Sequence, residues 1–243
     1  MRRRNYLLSG VSRGLGYRIA ERLLAAGHGV YGFSRTRSDS VAELLEQKPE
    51  QFFFAEIDLE KVDELEERVF REFLPSGTII DGLVNNAALA YDDLATNMDL
   101  VALESMFRVN VTAPMALTRG CIRNFILHNT PGSLVHLSSV CVYTGFKGLS
   151  FYASTKGALE AYSKNVAREW GSKGIRSNSV AAGFMETDMT GVLDAETKDR
   201  IFRRTAIKGP VDPDQVAQTV GFLLSDDSKA ITGETIRVDN GSL

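Results

Sequence analysis

Short apolar runs alternate with longer amphipathic segments along the whole chain. The runs Tyr6–Ser9, Val30–Ser34, Phe52–Ile57, Leu83–Asn85, Leu134–Ser138, Ser177–Ala181 and Thr235–Val238 are nearly continuously hydrophobic or small. That pattern predicts strands covered on both faces. Between them, Ile19, Leu23 and Leu24 recur at helical spacing, and Gly27 supplies a stop. Val62, Leu65, Glu66 and Val69 begin a second helical segment, Met106 to Leu127 hold a third, and Tyr152 to Trp170 a fourth. Strand–helix alternation from end to end predicts an α/β fold: one Rossmann-type, doubly wound parallel sheet of about seven strands with helices on both faces. A polar stretch from Met185 to Pro210 breaks the rhythm. An insertion of that kind near strand ends is expected to act as a substrate lid.

The 243 residues fit a single domain over 1–243, with 44% hydrophobic and 24% charged side chains. The net charge of -3 gives no basic field for nucleic acid, and the short run Arg2-Arg3-Arg4 reads as a solvated end. Cys121 and Cys141 form no disulfide framework and read as buried or free thiols. No secretory signal and no bilayer-length apolar stretch is visible, so a cytoplasmic location without membrane contact is expected. No metal site is expected.

The first strand runs directly into Ser9-Gly10-Val11-Ser12-Arg13-Gly14-Leu15-Gly16 and then into a helix. Glycines let the backbone turn tightly against a phosphate, and a helix N-terminus adds free N–H groups and a positive dipole end. This G-x-x-x-G-x-G spacing resembles that of the short-chain dehydrogenase/reductase family. The second strand ends in Phe33-Ser34-Arg35-Thr36-Arg37, with no carboxylate before Asp39. An acid there would hold a ribose 2′-OH, whereas Arg35, helped by Arg13, can bind a 2′-phosphate, so NADP(H) is expected. Arg37 reads as solvated. The resemblance implies that Asp58, with Leu59 beside it, meets the adenine; the alternative is a helix N-cap. Asn85-Asn86-Ala87-Ala88 is similar to the family's N-N-A-G, with Ala88 in the glycine's place. Its asparagines would brace the central strand and, with Ala87, line the adenosine side.

Leu134-Val135-His136-Leu137-Ser138-Ser139 is a strand ending in hydroxyls, and Tyr152-Ala153-Ser154-Thr155-Lys156 follows. Tyrosine and lysine at i and i+4 share a helix face. Free tyrosine, at about 10, is too weak an acid for easy proton transfer near neutrality. An adjacent ammonium is expected to lower it. Lys156 is placed for that role, and Ser139 for donating to a carbonyl oxygen as it gains charge. Ser138 is the neighbouring alternative. By resemblance, Tyr152 and Lys156 also touch the cofactor, Asn110 completes the catalytic set by holding a water, and Gly183 and Thr187 contact the nicotinamide side. Ala182-Gly183 stands where the family has Pro-Gly.

The resemblance runs from Ser9 to Gly241 and is strongest to 3-oxoacyl-(acyl-carrier-protein) reductases, through Phe184-Met185-Glu186-Thr187-Asp188-Met189-Thr190 and Ala230-Ile231-Thr232-Gly233-Glu234. It implies reduction of a β-ketoacyl thioester, in fatty-acid or polyketide-type biosynthesis, by a homo-oligomer, commonly a tetramer. Another ketone or secondary alcohol is the alternative substrate, and a silent nucleotide-binding scaffold a third reading. An acidic carrier would need a basic landing patch, for which Lys173, Arg168 and Arg176 are candidates. The ending Asn240-Gly241-Ser242-Leu243 departs from the subgroup's Gly-Gly.

Overall fold

The computed structural model describes residues 2–186 and 195–243, except for the side chains of residues 195 and 197. Seven parallel strands form one sheet in the order β3-β2-β1-β4-β5-β6-β7. They are β1 (Asn5–Ser9), β2 (Gly29–Ser34), β3 (Phe52–Glu56), β4 (Gly82–Asn85), β5 (Gly132–Ser139), β6 (Ile175–Ala182) and β7 (Thr235–Val238). Every predicted strand is present. Helices α1 (Gly14–Ala25), α2 (Asp39–Gln47) and α8 (Pro213–Leu224) alternate along the chain with an irregular helical segment over 62–73 (α3), α4 (Leu100–Phe107), α5 (Ala113–Leu127), α6 (Ser150–Trp170) and α7 (Ala195–Arg203). No helix of the described residues is long and apolar enough to cross a membrane.

The apolar runs of the five inner strands are buried because the pleat sends successive residues to opposite faces and both faces are covered, while the edge strands β3 and β7 are mostly half-buried. Tyr6 and Leu8 pack with Ile19, Leu23, Val216 and Val220 on one side. Leu7 packs with Val69, Leu117 and Val166 on the other. The sheet order reverses between β1 and β4, each paired in parallel with the other. A crevice opens at the carboxyl ends of strands where the order reverses, and ligands of open α/β sheets bind there.

Three departures from the sequence expectation bear on the site. The third predicted helix starts earlier, at Leu100, where the Asp99 side chain accepts from Val101 N and Ala102 N. It is broken by a π-turn over Arg108–Thr112 before α5 continues it. The described part of the polar insertion contains α7. The atypical C-terminus also has a structural task. Ala206 N and Ile207 N donate to the carbonyls of Gly241 and Asn240 at 3.1 and 3.0 Å, so the tail holds the far end of the insertion.

Candidate active site

A cleft of about 780 Å³ runs over the carboxyl ends of the strands, from the glycine loop to Tyr152, Lys156 and Met185. At one end, Gly10 takes φ +77°, a conformation open to glycine but strained for other residues. Gly16 brings α1 against the loop so closely that a β-carbon there would lie 1.9 Å from Gly10 O. Arg13, the N-cap of α1, makes no side-chain cap bond. The first-turn N–H groups thus lack a side-chain cap and face a cleft lined by Gly14 and Leu15. Uncapped N–H groups beside a close-approaching backbone suit a pyrophosphate, so the cradle fits a dinucleotide.

The end of β2 is stitched to this loop. Ser12 N donates to Ser34 Oγ at 3.2 Å. Ser12 Oγ donates to Thr36 O, and Ser38 Oγ returns a bond to Ser12 O at 2.7 Å. Arg13 and Arg35 both line the cleft, with Ser38, Asp39 and Ser40 beside them. Arg37 is exposed, and its N–H donates to Glu56 Oε1 at 3.0 Å. Asp58 and Leu59 line the same wall. Asp58 Oδ1 accepts from Glu60 N at 3.0 Å, closing a local turn, whereas the N-cap of the following helical segment is Lys61.

The two asparagines divide their work. Asn86 Nδ2 donates to Ser9 O and Gly10 O at 3.0 and 3.1 Å, bracing the glycine loop from behind. Ser9 Oγ accepts from Asn86 N and Ala87 N. Asn85 is buried and turns away to Thr118 Oγ1 and His136 Nδ1, at 3.3 and 3.1 Å.

At the other end, Tyr152 and Lys156 project from α6 into the cleft. Lys156 is buried, donates to Leu137 O at 2.9 Å, and sits 5.5 Å from the centre of the Tyr152 ring. Burial pushes its ammonium down to about 8. Burial opposes the expected lowering of the Tyr152 phenol by Lys156. Burial, with Cys141 and Asp92 adding to it, pushes that phenol up from its ordinary value. The dominant effect is loss of water around the charged form, which disfavours phenolate and ammonium alike.

Ser139 ends β5 half-buried, and its Oγ accepts from Cys141 N at 3.4 Å. Ser138, the alternative, lines the cleft whereas Ser139 lies just outside its lining, but the buried Ser138 hydroxyl is taken up by Glu160. Asn110 sits in the π-turn, a device common at functional sites. Its Oδ1 accepts from Leu89 N at 2.8 Å, and its Nδ2 donates to Leu89 O at 2.8 Å and Thr155 Oγ1 at 3.1 Å. It therefore ties the β4 loop to the residue before Lys156. Gly183 packs beneath the tail, where a β-carbon would lie 2.7 Å from Asp239 Cα, and Ala182 and Met185 line the cleft instead. Thr187 lies outside the described residues.

Of the basic landing patch, Arg176 is used inside the fold. Its guanidinium donates to the carbonyls of Ile231, Leu223 and Ser225. Lys173 lies just before β6, at the end of the sheet opposite the cleft. Reading residue types missed Glu160, Tyr143 and His136, whose partners are distant in sequence.

A family model described as enoyl-(acyl carrier protein) reductase matches residues 10–242. Among curated relatives, the 3-oxoacyl-[acyl-carrier-protein] reductase FabG of Aquifex aeolicus is 35% identical, over 97% of this chain and 95% of its own length. That of Staphylococcus epidermidis is 32% identical, over 97% of each. Among solved structures, a gluconate 5-dehydrogenase from Burkholderia cenocepacia J2315, in complex with NADP and tartrate, superposes with a TM-score of 0.87 at 26% identity, covering 98% of this chain and 94% of the other. The chain is an oxidoreductase and belongs to the short-chain dehydrogenase/reductase family.

Proposed function

We propose that the protein reduces a 3-oxoacyl thioester, carried on an acyl carrier protein, to the 3-hydroxyacyl product with NADPH. The observation that carries the reading is the meeting of two features in one cleft: an open glycine-loop cradle at one end, and Tyr152 with Lys156 at the other. The curated relatives named above, similar over nearly their whole length, supply the substrate class.

Gly10, Gly14, Leu15 and Gly16 would hold the pyrophosphate, and Arg13 and Arg35 a 2′-phosphate. Asp58, Asn86 and Ala87 would line the adenosine side. Bound NADPH supplies the hydride. Ser139 would donate a hydrogen bond to the substrate's carbonyl oxygen as that oxygen gains charge. Tyr152 Oη gives that oxygen its proton, and the Lys156 ammonium stabilises the phenolate left behind. The phenol is protonated at neutral pH, as a proton donor must be, and the Lys156 ammonium opposes the burial that weakens it as an acid.

An NADPH-oxidation assay comparing acetoacetyl thioesters with simple ketones tests the substrate. A marked thioester preference is expected, and none would assign the site to another ketone. Tyr152→Phe should lower kcat by about 10³-fold or more while NADPH still binds. Substantial residual turnover would refute the acid role.

A further inference from the structure

Tyr152, Lys156 and Glu160 stand at i, i+4 and i+8 on α6 and so share one face of that helix. The first two belong to the proposed chemistry. Glu160 does not reach the cleft, yet both of its carboxylate oxygens are used. Oε1 accepts the hydroxyl of buried Ser138, and Oε2 accepts the phenol of Tyr143 at 2.7 Å. Tyr143 ends the turn that follows β5, and its ring lies 5.8 Å beneath the Arg237 guanidinium although the residue is 45% exposed.

We infer that Glu160 is a positioning residue, which fixes the end of β5 and the turn after it against α6 and thereby holds the backbone that carries Ser139. The inference rests on the reading above for what those three residues do. Its geometry is that of two stitches one helical turn apart. Lys156 holds Leu137 O at 2.9 Å, and Glu160 holds the next residue, Ser138. Two bonds to adjacent residues hold the backbone at the end of β5 against α6, and that backbone carries Ser139. Hydrogen bonds to a carboxylate are short and strong, which suits a carboxylate to that task. Tyr143 extends the hold to the turn that contains Cys141, whose N–H bonds Ser139 Oγ.

The test uses the full chain with three variants and two readouts. The first readout is kcat and KM with acetoacetyl-CoA and NADPH. The second is the labelling rate of Cys141 by a thiol reagent, which is independent of activity; Cys121 is fully buried and serves as the silent thiol. Glu160→Leu should lower kcat about 10- to 100-fold, leave the KM for NADPH within about twofold, and speed Cys141 labelling. Glu160→Gln keeps an acceptor for Ser138 and an amide for the Tyr143 oxygen. It should therefore recover both readouts to within about threefold of the parent. Tyr143→Phe removes one bond at a half-exposed site and should fall between the two. A folded Glu160→Leu protein with parental kcat and labelling would overturn the inference, as would a Gln variant no better than Leu. If Glu160→Leu does not fold, Tyr143→Phe decides, and parental values for it overturn the proposal. Should the parent fail to reduce acetoacetyl-CoA, the substrate reading falls, and the labelling arm alone then supports or overturns the positioning role.

Discussion

At the scale of single residues, burial sets the acid–base behaviour of this site. Lys156, pushed down to about 8, is an ammonium at neutral pH and loses its charge as pH rises through that value. The ammonium form is needed beside the developing phenolate, so the reduction rate should fall above about pH 8. A pH profile of kcat that stays flat to pH 10 would remove Lys156 from that role. His136 follows the opposite logic. It is enclosed between Asn85 and Ser177, and burial, aided by nearby Lys156, pushes it down to about 4. The unfolded chain therefore binds more protons between about pH 4 and 6.5, and stability drops as pH falls through that window. The full cost is on the order of 3 kcal/mol. Urea unfolding at pH 6.5 and 4.5 should show the drop, and His136→Asn should flatten it. Tyr152, Lys156 and Ser139 were legible in the sequence because their spacing is short and their residue types are chemically telling. Glu160 and His136 were not. Each reads as an isolated polar residue within a helix or strand, and its partners lie 17 to 51 residues away.

At the scale of elements, the glycine loop is legible for a similar reason: strand, loop and helix are contiguous. The sequence could not show how tightly α1 is drawn in. The gap at Gly16 leaves no room for a methyl group against Gly10 O, which is backbone and cannot swing aside. Gly16→Ala should force α1 outward, costing about 1–3 kcal/mol of stability. NADPH affinity should weaken in the same variant, measured by fluorescence titration. Parental affinity would show that α1 does not frame the cofactor. Helix α2 was missed, although its signal is present: Ser38 caps it by accepting from Val41 N. The break at Asn110 was also hidden. A π-turn leaves the hydrophobic period nearly intact, and its trace is a polar side chain spent on Leu89 and Thr155 rather than on its own helix.

At the scale of the whole molecule, one cleft links the sheet's two halves. The glycine loop and the arginines sit over β1 and β2, and the tyrosine and lysine over β5 and α6. A dinucleotide bound along it would clamp both halves at once, so binding should register as stability of the entire chain. At a ligand concentration of about 100 times Kd, that linkage is worth about 2.7 kcal/mol. For a chain of this size it corresponds to a rise in Tm of about 5–10 °C. NADPH should give this shift, and NADH a much smaller one at equal concentration, because Arg13 and Arg35 would then face a bare 2′-hydroxyl. Arg35→Asp should remove most of the NADPH shift, since a carboxylate repels the phosphate, while leaving the NADH shift in place or larger. Equal loss with both cofactors would mean that Arg35 supports the fold of the loop rather than reading the phosphate. The web around it, from Ser12 to Thr36 and from Glu56 to Arg37, bonds through the backbone and does not use the Arg35 side chain. The loop should therefore keep its shape in the variant, and the difference between the two shifts isolates the charge.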